Sequence, residues 1–260
     1  MELFLIGGIA FLASVLTLFS GFGLGTVLMP VFALFFPISF AITATAVVHF
    51  ANNIFKFSLM AKHANWSVVI HFGIPAALAA LAGAALLHIF DQMLIIGSYT
   101  LGESIFKLTV IKTVIGFLIV FFALFELSPW FQQIAMPPKW LPLGGVLSGF
   151  FGGLSGNQGA LRSAFLLKAG LSKNAFVATG VVSAILVDAT RLIVYGIGIL
   201  SGPITKSQGL TIPIIVGTIC AFGGTIVGKK FLQKVTLKAV RATVAVAMLL
   251  IGLALLVGFV

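Results

Sequence analysis

The chain has 260 residues, 60% of them apolar and only 8% charged, with a net charge of +10. A soluble domain averages about 45–50% apolar and 25% charged, so the composition excludes one and predicts a polytopic membrane protein. One cysteine, Cys220, excludes an internal disulfide framework, and basic residues that fall between apolar segments orient the chain in a membrane rather than bind nucleic acid. In chain order there are eight apolar blocks, at roughly 3–36, 40–61, 66–90, 105–125, 141–169, 174–200, 208–228 and 236–259, each measured against the ~20 residues of a spanning helix. The start, MELFLIGG, carries Glu2 but no basic residue, and is expected not to be a cleaved signal peptide.

Blocks one and five are interrupted. In the first, LFSGFGLGTVLMP carries Gly21, Gly23 and Gly25, and only the eleven residues from Thr26 to Phe36 follow them. Eleven helical residues rise about 16 Å, half of the ~30 Å hydrocarbon core. Glycine permits the dihedrals that break a helix, and unwound backbone at membrane depth is tolerated only inside protein or beside a water-filled cavity. Each interrupted block is therefore read as a helix, a break and a half-helix that returns to the side it entered from. A kinked, tilted single helix is the alternative, and the small-xxx-small spacing of Gly145, Gly149 and Gly153 also suits close packing.

The two interruptions belong to an internal repeat. Ser20-Gly21 answers to Ser155-Gly156, and Ala44-Thr45-Ala46-Val47-Val48 to Ala178-Thr179-Gly180-Val181-Val182. Asn53 and Lys56 answer to Asp188 and Arg191, Pro75 to Pro213, and the helix with Lys112 to the one with Arg241. Residues 1–126 form the first repeat, 127–140 a proline-containing linker, and 141–260 the second. If blocks one and five are re-entrant, the loop with Lys56, Lys62 and His63 shares one face with Lys139, Lys168, Lys173 and the Lys229–Lys238 segment. That face obeys the positive-inside rule; eight full crossings would violate it. The opposite face keeps Glu2, Asp91, Glu103, Lys107 and Lys206. Each repeat then has an odd number of crossings. The expected fold is an all-α polytopic membrane protein of two inverted repeats, each a broken, re-entrant helical hairpin plus three transmembrane helices, which is the plan of many secondary transporters.

A half-helix presents free N–H groups and a positive dipole end to its break, which suits an anion. Gly21, Gly23, Gly25 and Gly156 shape the two breaks. Ser20, Thr26, Ser155, Asn157 and Gln158 add neutral donors there, Asn53 lines the neighbouring helix, and Arg162 supplies charge. Asp188 and Arg191, three apart on one helix, can pair on one face; with His49, a proton acceptor, they are candidates for coupling or gating. A structural pair that locks helices is the alternative for Asp188 and Arg191. Gly153-Leu154-Ser155-Gly156 also matches the GxSG of rhomboid-type intramembrane serine proteases. However, Ser20 occupies the equivalent place in copy one, and a nucleophile needs a positioned base, so no enzyme is expected. No cofactor and no metal site is expected.

The chain resembles the TauE/SafE family of sulfite exporter-like permeases in the Gly21-Phe22-Gly23-Leu24-Gly25…Pro30 break, the duplicated four-block unit and the Ala44-Thr45…Asn53 segment. It departs where Ala164 or Phe165 stands in place of a second proline, and in carrying Asn157-Gln158 and Arg162. The resemblance implies a secondary transporter that exports a small sulfur-containing anion, sulfite or an organosulfonate such as sulfoacetate, by alternating access. A permease for another small anion, or for a cation centred on Asp188, is the alternative. The expected partners are the substrate, the lipid bilayer, a coupling ion (proton or sodium) and a second copy in a homodimer. The expected location is the bacterial cytoplasmic (inner) membrane, with both termini outside the cytoplasm.

Overall fold

The computed structural model describes residues 1–17, 24–93, 95–128, 130, 134–201, 209–231 and 237–259, which form ten α-helices and one β-hairpin. Before the linker come α1 (Glu2–Thr17), the short α2 (Leu24–Ala33), α3 (Ile38–Met60), α4 (Trp66–Gln92) and α5 (Val110–Leu127). After it come α6 (Leu141–Ser155), the short α7 (Gly159–Leu166), α8 (Lys173–Ser201), α9 (Thr211–Phe231) and α10 (Leu237–Leu256). Among the described residues five helices are long and apolar enough to cross a membrane, and the chain is an all-α polytopic membrane protein.

The local causes are legible. Asn65 caps α4 by accepting from the Val68 N–H at 3.1 Å. The ring of Pro75 would crowd the carbonyl one turn back, and the helix widens to a π-helical turn over Val69–Gly73 ahead of it. Block four begins later than its apolar composition predicts. Its first residues form β2 (Ser104–Thr109), paired antiparallel with β1 (Ile95–Leu101) around Gly102, whose φ is +62°. Alternating branched and aromatic residues favour strand here, and Thr109 then caps α5, its hydroxyl accepting from Lys112 N–H at 3.3 Å.

Helix pairing follows a pattern. α4 lies parallel to α6: a Cβ on Gly145, Gly149 or Gly153 would fall 2.2, 1.9 or 2.3 Å from the carbonyl oxygens of Phe72, Ala76 and Ala80. Those glycines exist because the two backbones touch. α1 lies parallel to α9 in the same way, with Gly224 against the Phe11 carbonyl and Gly228 against Val15. In contrast, α3 and α8 run antiparallel, since His49 meets Asp188 while Asn65, beyond the end of α3, donates its N–H to Thr179 near the start of α8. α5 and α10 are antiparallel too: Gly116 packs on Gly252, and the Lys112 ammonium reaches the Gly258 carbonyl at 3.5 Å. The hairpin closes on that end of the bundle, where the Tyr99 hydroxyl donates to the Val257 carbonyl and the Phe106 and Phe259 rings lie 4.5 Å apart.

Candidate functional site

The second break is visible residue by residue. α6 ends at Gly156, whose φ of +80° is a left-handed conformation that glycine adopts without a Cβ penalty. Three residues later α7 begins, with the preceding Gln158 carbonyl accepting from Arg162 N–H at 3.1 Å and from the Ser148 hydroxyl at 2.9 Å. The chain then turns back on itself. Phe165, near the end of α7, packs its ring on Gly144 near the start of α6, and Met136 N–H donates to the Ala164 carbonyl at 3.1 Å. α7 has eight residues and α2 ten, about 12 and 15 Å of helix.

The start of α2 meets this break. A Cβ on Gly25, in the first turn of α2, would lie 3.6 Å from the Gly156 carbonyl oxygen, 3.6 Å from Thr45 Cγ2 and 3.9 Å from His49 Cδ2. Thr26 is buried beside it. Ser20, Gly21 and Gly23 lie outside the described residues.

Around this junction is a buried polar centre built from α3, α7 and α8. His49 Nδ1 lies 2.6 Å from Asp188 Oδ2, and Asn53 Nδ2 donates to the same oxygen at 3.4 Å. Oδ1 accepts from Gln158 Nε2 at 3.1 Å and from Arg191 Nε and a terminal guanidinium N–H at 3.0 and 2.7 Å. Arg191 also donates to the Gly152 carbonyl at 3.3 Å and lies over Gly156. Tyr195, one turn on, donates to the Gly153 carbonyl. Asp188 and Arg191 are fully buried, so the carboxylate and guanidinium offset one another where neither could be hydrated.

Arg162 extends this centre along α7. It donates weakly to Gln158 Oε1 at 3.5 Å, and its Nε comes within 3.4 Å of where a Gly180 Cβ would sit. Copy one has Ala46 at the position matching Gly180; the missing methyl makes room for the guanidinium. Ser155 donates to the Phe151 carbonyl at 3.0 Å and accepts from Asn157 Nδ2 at 3.2 Å. Its hydroxyl thus belongs to the break, and no histidine bonds to it among the described residues.

The structure therefore brings together Gly25, His49, Asn53, Gly156, Gln158, Asp188 and Arg191, with Arg162 on one flank and Ser155 and Asn157 in the break. Sequence reasoning missed Tyr195, although its spacing of four from Arg191 continues the Asp188–Arg191 face. It also missed Thr45, whose hydroxyl is buried with no hydrogen-bond partner among the described residues. Lys56 differs from the reading of a loop cation. It lies inside α3, 5% exposed, because the helix continues to Met60 and buries the His49–Asn53–Lys56 face.

Apolar spans folded around buried charged side chains and the helix break at Gly156 define a multi-pass membrane protein. Residues 6–255 match the sulfite exporter TauE/SafE family model. The chain belongs to that family. Comparison with individual curated proteins returns no match.

Proposed function

We propose that this protein is a secondary transporter exporting a small sulfur-containing anion, sulfite or a small organosulfonate, by alternating access of two inverted repeats. The observation that carries this reading is the meeting of the first turn of α2 with the second break, Gly25 against the Gly156 carbonyl, beside buried Arg162 and the His49–Asp188–Arg191 network. Half-helix N-termini and a guanidinium together suit an oxyanion.

Helix directions support inverted, re-entrant repeats. If all eight blocks crossed fully, the second and sixth would run the same way, as would the fourth and eighth. α3 and α8 instead run antiparallel, as do α5 and α10. One hairpin plus three crossings per repeat produces that pattern. Exchanging the halves also maps the α1–α9 contact onto α6–α4, as a two-fold axis in the membrane plane requires. In this arrangement both termini lie with the hairpin outside the cytoplasm of a bacterial inner membrane, and Lys62, Lys139, Lys168 and Lys173 face inward.

Ser155, Gly156, Asn157, Gln158 and Arg162 would hold the anion from the second repeat, with Ser20, Gly21, Gly23, Gly25, Thr26 and Asn53 from the first. His49, Asp188 and Arg191 would couple or gate, and a proton or sodium ion would drive export. Both Asp188 oxygens already accept hydrogen bonds, which favours an anion over a cation at this centre.

The test is sulfite and sulfoacetate flux in proteoliposomes, wild type against Arg162→Gln, with sulfate and a monovalent cation alongside. Saturable flux of the sulfur anions that falls at least tenfold in the variant is expected. Flux indifferent to Arg162 would misplace the site, and movement of cations alone would overturn the anion reading.

A further inference from the structure

We infer that Lys56 is a second anion-binding cation, and that with Arg162 it makes the site selective for an anion carrying two negative charges. The inference rests on the anion site proposed above and adds a residue and a charge requirement to it.

Lys56 is 5% exposed on α3. Lys62, six residues on, is exposed at the end of the same segment. A lysine near a helix end ordinarily snorkels its ammonium to the interface; this one does not. Nor does it hydrogen-bond or ion-pair with any described residue. The matching position in the second copy shows what is missing. Arg191 has Asp188 three residues before it and pairs with it at 2.7 Å. Lys56 has Asn53 three residues before it, and Asn53 is neutral.

Lys56 and Arg162 share a level of the bundle. Because α3 and α8 are antiparallel and His49 meets Asp188, the seven residues from His49 to Lys56 advance about 10.5 Å toward the start of α8. The eight residues from Asp188 back to Gly180 cover about 12 Å. Gly180 is the residue on which Arg162 packs. Lys56, Arg162 and Arg191 are thus three buried cations against the single carboxylate of Asp188. Glu126, the other buried carboxylate, lies in the last turn of α5. A buried charge is tolerated when it is paired, and an excess of two positive charges matches a dianion.

The test is titration calorimetry on the purified full chain at neutral pH, where a substantial share of sulfite carries two charges. Methanesulfinate is the probe beside it; a methyl replaces one oxygen, so the shape is close and the charge is one less. The wild type is expected to bind sulfite at least tenfold tighter than methanesulfinate. Lys56→Gln should weaken sulfite at least tenfold while changing methanesulfinate less than threefold, and Lys56→Arg should restore the preference. If Lys56→Gln weakens both probes equally, or neither, Lys56 does not read the second charge and this inference falls while the anion site stands. It falls in the same way if Lys56→Arg behaves like Lys56→Gln. If the wild type binds neither probe, both the anion site and this inference fall.

Discussion

Replacing Asp188 by Asn tests the buried centre most directly. The substitution keeps the side-chain shape and removes one negative charge. Arg191, fully buried, then loses the carboxylate that accepts two of its N–H groups at 3.0 and 2.7 Å. The amide would turn its oxygen toward Arg191 and Gln158 and its NH₂ toward His49, 2.6 Å away; His49 can accept there if its proton moves to Nε2. Hydrogen bonding is thus largely rescued, and the cost is that of an uncompensated buried charge, about 3 kcal/mol at the low end of the usual range. Unfolding by SDS titration in mixed micelles, followed by circular dichroism, measures it. Arg191→Gln in the same background removes the orphan charge, and a coupling of about 1–3 kcal/mol between the two changes is expected. A single-variant loss under about 1 kcal/mol, or strictly additive costs, would refute the claim that the pair is desolvated and mutually dependent.

Two further outcomes follow from the packing. Gly149→Ala would put a Cβ 1.9 Å from the Ala76 carbonyl oxygen and push α6 off α4, so a strongly lowered melting temperature or loss of monodisperse protein is expected; Gly8→Ala, with nothing within 4 Å, is the control that should melt at or slightly above wild type. A wild-type melt for Gly149→Ala would mean the helices are not in backbone contact. Thr45→Val replaces a buried hydroxyl that has no hydrogen-bond partner among the described residues, while keeping the methyl that packs near Gly25, and should stabilise by about 1 kcal/mol; a lowered melting temperature would mean the hydroxyl is hydrogen-bonded.

Much of the membrane class was legible in sequence because lipid imposes long apolar runs and glycine marks where they break. The i, i+3 spacing of Asp188 and Arg191 likewise needed only helix geometry. The hairpin at 95–109 was not legible, since short apolar runs suit strand and helix alike and Gly102 decides between them by permitting a tight turn. Lys56 was grouped with the loop cations, although as the counterpart of Arg191 it also read as polar lining beside Asn52 and Asn53; its burial on α3 agrees with the second reading.

Contacts between distant segments were beyond any periodicity. Nothing local to His49 indicates that its partner is Asp188, 139 residues on. The ring formed by Ser14, Asn52 and Thr225, with separations of 2.9–3.2 Å across α1, α3 and α9, is equally nonlocal. The sequence by itself determined that the chain enters a membrane and that a helix breaks at Ser155-Gly156, because long apolar runs follow from the cost of exposing polar groups to lipid and glycine marks where a run is interrupted. Only the tertiary structure decided which charges neutralise one another and which is left over, because that depends on how antiparallel helices from the two halves align their polar faces.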